Sequence, residues 1–262
     1  GGSKFMIIDI SDPHNPALIS TLTDDGSMTL DSISDIFVLG NYAYVTAFSD
    51  DALNIIDISD PKDPRVAGNI TASDNTALDG VMALYVSGGF AYLISDDPGG
   101  EDALVVVDIS NPEDPSYEGT VNSSVIANLV TPHDIFIQGN YAYITTNVSD
   151  ALEIIDISDP SNPSHIASST DSGGSAPYLN GASGLFVSGD YAYVASNNSD
   201  ALEIIDISDP SNPSHMGSIL DGEGSAPYLN GAQDIFVQGN YAYMTARTSD
   251  ALEIIDISGA KI

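Results

Sequence analysis

Short apolar runs alternate along this chain with clusters of Gly, Pro, Asp, Asn and Ser, so that a breaker falls roughly every eight to twelve residues. No apolar pattern with a 3.6-residue period persists for about ten residues, and the chain therefore reads as short strands throughout. The runs are copies of one another. An apolar residue, one free position, two aliphatics and Asp-Ile-Ser begin at Phe5, Leu53, Leu104, Leu152, Leu202 and Leu252, at intervals of 48 to 51 residues. A second motif, Gly-x-(Tyr/Phe)-Ala-Tyr and an apolar residue, has its second aromatic at Tyr44, Tyr92, Tyr143, Tyr193 and Tyr243. An apolar run ending in Gly precedes each of these, starting from Ile36, Leu84, Ile135, Leu185 and Ile235.

Each period then predicts four strands. Strand a is the Ile-Phe-Val run, a tight Gly-containing turn leads to strand b (Tyr-Ala-Tyr), and an acidic loop leads to strand c (Leu-x-Ile-Ile-Asp-Ile-Ser). An Asp-Pro-x-x-Pro segment stops strand c, because proline has no N–H for a ladder, and strand d follows. Four strands in a repeat of about 50 residues are the signature of an all-β propeller. The expected blades are 34–71, 82–121, 133–169, 183–220, and 233–258 together with 5–23, in one domain over 1–262. Strand c occurs six times and the others five, so Ala17 to Thr23 is expected to close the ring as the outer strand of the last blade, removing an open edge. One c strand is then surplus. Phe5, Ile7, Leu252 and Ile254 mark strands available for assembly by strand addition.

Charge narrows the function. There are 38 acids, 31 of them Asp, against five Lys+Arg, for a formal net charge of −33. A surface this poor in cations excludes nucleic-acid binding by phosphate neutralisation and polybasic attachment to a membrane. No run is long and apolar enough for a membrane-spanning helix. The absence of Cys removes disulfides and thiolate chemistry. A hydrophobic content of 42% still supplies a core, so the charge does not imply disorder.

The combined motif, exemplified by the identical segments 152–163 and 202–213 (Leu-Glu-Ile-Ile-Asp-Ile-Ser-Asp-Pro-Ser-Asn-Pro), resembles the LVIVD repeat over nearly the whole chain. The resemblance implies a β-propeller on or outside bacterial or archaeal cells, often as a module of a larger surface protein. It implies no catalytic constellation.

Candidate chemistry falls in few places. The strand-c aspartates Asp9, Asp57, Asp108, Asp156, Asp206 and Asp256 recur in every period, which points to local hydrogen bonding with the turn that follows. Asp96, Asp97, Glu101 and Asp102 crowd one loop and supply hard oxygen ligands suited to calcium. The entry to strand a varies while its flanks repeat, and Asp35, His133, Asp134, Gln233 and Asp234 are the candidate binding residues at a channel mouth. His14, His165 and His215 read as surface residues beside the c–d turns, and Tyr178 and Tyr228 lie in a duplicated insert, 174–182 and 224–232. Asn69, Asn122, Asn147 and Asn197 head candidate glycosylation sequons.

Taken together these features predict a non-catalytic extracellular or cell-surface module without a required cofactor. Its expected partners are protein, including head-to-tail copies of itself, or surface glycan. Calcium-dependent adhesion and a hydrolase or lyase site in the channel are the alternatives.

Overall fold

The computed structural model describes residues 3–24, 29–97, 99–171, 176–223 and 226–260. Among them run 21 strands in six antiparallel sheets. The first sheet is the hairpin β1 (Lys4–Asp9) and β2 (Ala17–Thr23). The second contains β3 (Ile33–Leu39), β4 (Tyr42–Ala47), β5 (Ala52–Asp57) and β6 (Arg65–Thr71). The third contains β7 (Val81–Ser87), β8 (Phe90–Ser95), β9 (Ala103–Asp108) and β10 (Ser116–Asn122). The fourth contains β11 (Pro132–Gln138), β12 (Tyr141–Thr146), β13 (Ala151–Asp156) and β14 (Ser164–Thr170). The fifth contains β15 (Ala182–Ser188), β16 (Tyr191–Ser196), β17 (Ala201–Asp206) and β18 (Ser214–Leu220). The sixth has three strands, β19 (Ala232–Gln238), β20 (Tyr241–Ala246) and β21 (Ala251–Asp256). The chain divides into two compact units, residues 1–120 and 121–262, the division falling inside β10.

The expected a–b–c–d order holds in all four complete blades. Each a–b hairpin has a two-residue loop whose first residue is Gly40, Gly88, Gly139, Gly189 or Gly239, at φ between 60° and 62°. That left-handed geometry matches strand twist and is free of strain only for glycine. Strand c ends three residues before the Asp-Pro turn, at Asp57 ahead of Asp60-Pro61 and at Asp206 ahead of Asp209-Pro210.

The strand pairing expected to close the ring is not found among the described residues. There are six sheets rather than five, and β2 pairs with β1 instead of completing the last one. The two strands are joined by only seven residues, Ile10 to Pro16, so their pairing has a short loop to close. No sheet combines strands from the two chain ends among the described residues.

Cores form between sheets, face to face. In the second unit Tyr143, Leu152 and Ile154 of one blade pack with Leu179, Leu185, Val187, Val194, Ile205 and Ile207 of the next. The same positions one repeat on, Tyr193, Leu202 and Ile204, pack with Leu229, Ile235, Val237, Met244, Ile255 and Ile257. In the first unit Tyr44, Leu53 and Ile55 meet Leu78, Leu84, Val86, Leu93, Val107 and Ile109. Phe5 and Ile7 of the hairpin lie against Ala43, Val45 and Ile56.

Candidate functional site

The acids that dominate the composition are hydrogen-bond acceptors in fixed slots. All six strand-c aspartates, Asp9, Asp57, Asp108, Asp156, Asp206 and Asp256, accept the backbone N–H of the Ser two residues on, at 2.8 to 2.9 Å. The Ser hydroxyl and backbone N–H together hold the carboxyls of Asp57, Asp206 and Asp256 below the usual carboxylate range, and the backbone N–H followed by the hydroxyl does the same for Asp9 and Asp108, because these bonds favour the charged form. The Asp of the Asp-Pro turn acts likewise: Asp60, Asp159 and Asp209 accept N–H groups from Lys62, Ser161 and Ser211.

A second set of carboxylates crosses from one blade to the next. Strand a carries a register shift at its entry, between Ile33 and Asp35, Pro132 and Asp134, or Ala232 and Asp234. Such a bulge re-aims the side chains beside it. Asp35 takes the N–H of its own neighbour Ile36 on one oxygen and that of Leu84, in the following blade, at 2.9 Å on the other. Asp134 does the same with Ile135 and Leu185, both at 2.8 Å. Each is seconded by a strand-b hydroxyl, Thr46 to Met82 O and Thr145 to Ser183 O. The third latch lies in the b–c turns. Asp51, Asp150 and Asp200 sit at φ near +50° and accept the N–H of Gly80, Gly181 and Gly231, each at the entry to the next blade.

The strand-a slot thus reads Asp35, Ala83, Asp134, Gly184, Asp234 along the chain. Gly184 is required by close approach, since a Cβ there would stand 2.6 Å from the Cα of Asp234. The variation at this position has a mechanical content that composition did not reveal.

Within the second unit the charge of Asp234 reaches His133. Burial pushes the His133 imidazole down and Asp234 pushes it back up. Gln233 accepts from the amide of Asn197 at 3.4 Å. In the acidic loop, Asp102 Oδ1 accepts from the Asp97 N–H and Asp97 Oδ1 from that of Gly99, so the loop folds onto its own carboxylates. Burial and then Asp102 and Asp97 push the Asp96 carboxyl up, while burial, Asp51 and Asp97 raise that of Asp79. Glu101 lies exposed in the same loop. Among the described residues no three His, Cys, Asp or Glu side chains are arranged to hold a metal ion.

Two pairings of a buried glutamate with a histidine escaped the sequence reading. Glu203 Oε1 lies 2.6 Å from His215 Nδ1, and Glu153 Oε2 lies 2.8 Å from His165 Nε2, both glutamates being fully buried. Burial dominates the Glu203 carboxyl and raises it to about 7, with His215 opposing. Glu153 is raised for the same reason. Each glutamate keeps one oxygen, Glu153 Oε1 and Glu203 Oε2, that meets no hydrogen-bond partner among the described residues. The signal was the shared offset of Glu and His in two repeats, but the bulges between Ile154 and Ile155 and between Ile204 and Ile205 hid the pairing.

Of the remaining candidates, Tyr228 is exposed and Tyr178 half-buried, while residues 174–175 and 224–225 of their inserts lie outside the described residues. Asn69 bonds Thr29 and Asn122 accepts from Ser124, and Asn147 and Asn197 open their b–c turns. Phe5 is buried and Ile7 half-buried, whereas Leu252 and Ile254 are exposed. No described helix is long and apolar enough to cross a membrane.

Four-stranded antiparallel blades with face-to-face cores and repeat-to-repeat latches define a propeller-type repeat protein. The LVIVD repeat model matches residues 1–24, 32–72, 80–123, 132–171, 181–221 and 231–260, and the chain belongs to that family. No match is found among curated proteins. Among solved structures the chain is similar to a functionally unknown protein from Desulfotomaculum acetoxidans, with a TM-score of 0.69 at 11% identity, covering 91% of this chain and 72% of that one. It is similar to the periplasmic gluconolactonase of Pseudomonas aeruginosa, with a TM-score of 0.69 at 13% identity, covering 94% and 71%. A computationally designed protein gives 0.63 at 11% identity, covering 92% of this chain and 62% of its own. At these identities the likeness concerns the fold alone.

Proposed function

We propose that this protein is a non-catalytic structural and recognition module that works outside the cell or on its surface and acts through protein contact. The observation that carries the reading is the use of its acids. In Asp35, Asp134, Asp51, Asp150 and Asp200 the same slots grip the blade that follows. A carboxylate committed to two backbone N–H groups is a poor general base, because protonating it would forfeit both bonds. The acidic, cation-poor surface suits an ion-rich exterior that screens its repulsion.

The rival reading is a channel-site hydrolase, and the specific feature that favours it is a His133 imidazole that feels both burial and the charge of Asp234. One structural neighbour is a gluconolactonase. Incubation of the full chain with gluconolactone separates the two. We expect hydrolysis at the buffer rate, unchanged by His133→Ala. Turnover above that rate, abolished by His133→Ala, would overturn the non-catalytic reading.

A further inference from the structure

We infer that the open face of the β19–β20–β21 sheet is a docking site for a further LVIVD blade, one whose innermost strand carries Ala or Gly in the slot that Asp234 fills here. The inference rests on the protein-contact reading above and names the kind of partner.

The apolar half of the argument is a comparison of copies. Leu202 and Ile204 are 0% and 2% exposed because the next blade covers them. Their counterparts Leu252 and Ile254 are 65% and 54% exposed. The rings of Phe136, Phe186 and Phe236 meet in a row, tilted and then edge-on, at 5.3 and 5.2 Å between centroids, and Phe236, at its end, is 52% exposed. The face continues a packing surface that is already used twice within the second unit.

The polar half specifies the occupant. Asp134 and Thr145 grip the next blade through the Leu185 N–H and the Ser183 carbonyl, and Asp200 through the Gly231 N–H. The last sheet carries the same three groups as Asp234, Thr245 and Asp250. Asp234 Oδ1 holds its own Ile235 N–H, while Asp234 Oδ2, Thr245 Oγ1 and the Asp250 carboxylate meet no such neighbour among the described residues. A hollow of about 370 Å³ lined by Gln233, Thr245, Arg247, Asp250 and Leu252 lies on this face.

An incoming strand must offer a free N–H to Asp234. Leu84 and Leu185 have one because Ala83 and Gly184 precede them, whereas Ile36, Ile135 and Ile235 give theirs to their own aspartates. An Asp-type strand would set a second carboxylate against Asp234 with no N–H left to share, an arrangement that like charges disfavour. A second copy of this chain presents Ile36 as its first such strand, already held by Asp35, and is therefore the wrong type.

The test extends the full chain after Ile257 by a copy of residues 158–207, which carries the Gly184 slot, or of residues 208–257, which carries the Asp234 slot. We expect the Gly-type extension to slow amide exchange in β19–β21 by about tenfold over the Asp-type one, the scale of a hydrogen bond to a charged acceptor. Asp234→Asn with Thr245→Ala, or Gly184→Asp in the appended copy, should erase that difference. Equal protection by both extensions, or by neither, overturns the proposal. Sedimentation of the unextended chain reads the same face without new sequence. Monomer at all concentrations is expected, and self-association abolished by Leu252→Glu would assign the face to a second copy and overturn the proposal. Gluconolactone turnover is measured separately, so failure of the functional reading would not be mistaken for failure of the docking site.

Discussion

Glu203 sits in surroundings that disfavour its charge. It is fully buried, contacts His215 at 2.6 Å, feels Asp171 from the preceding blade, and has a carboxyl raised to about 7. A raised folded-state value means that the folded protein binds the proton more tightly than the unfolded chain. Its contribution is therefore complete below the ordinary glutamate value and is lost as pH rises through about 7, a change of roughly 3 kcal/mol. Glu153, Asp79 and Asp96 act in the same direction. The turn aspartates act oppositely: with lowered values, their contribution is present above the ordinary carboxylate range and is lost as pH falls below it. We expect melting temperature to fall from pH 5 to pH 8 and Glu203→Gln to make that slope shallower, since Gln accepts from His215 without a buried charge. A variant that tracks the wild type across this range would contradict the assignment. The turn aspartates were legible in the sequence because their partner lies two residues away. The Glu–His pairs were not, because they depend on where a bulge falls between two strands.

Strands and turns were legible almost throughout, since alternating apolar runs, Gly turns and Asp-Pro stops are local signals. The pairing of the N-terminal strands was not. Counting strands favoured a ring closed by β2, whereas the short β1–β2 connection directs β2 to its neighbour. A further element was overlooked: the loop into each strand a carries a leucine, Leu30, Leu78, Leu129, Leu179 or Leu229, and all five are completely buried. Each stands two residues before a position of positive φ, Ser32, Gly80, Thr131, Gly181 or Gly231, which turns the chain into the strand. Leu30, Leu78, Leu179 and Leu229 plug the loop into a core between sheets, as Leu179 does beside Tyr143, Leu152 and Ile154. Leu179→Ala should cost about 2–5 kcal/mol by cavity formation, read as a lowered urea midpoint. A loss below about 1 kcal/mol would show that the loop adds little to the core.

At the scale of the whole chain, the charge of −33 is partly a construction material. The strand-c and Asp-Pro acids close turns, and strand-a and b–c acids tie the β3–β6, β11–β14 and β15–β18 blades to the blades that follow them. The variable strand-a slot looked in the sequence like a grafted binding surface. In the fold Asp35 and Asp134 of that slot latch the blade that follows, and Gly184 admits the close approach of Asp234, relations visible only once neighbouring blades are placed. The central claim is that these carboxylates hold blade to blade, and one comparison isolates it. Asp134 and Asp234 occupy the same slot and bond their own neighbour alike, but only Asp134 also receives an N–H from a following blade. Asn has a single acceptor oxygen, so Asp134→Asn turns an amide donor toward a backbone donor, whereas Asp234→Asn can keep its one bond. Urea unfolding of the two variants at low protein concentration, followed through the second unit, should show Asp134→Asn less stable by about 1–3 kcal/mol and Asp234→Asn changed by much less. Equal losses in the two would contradict the account.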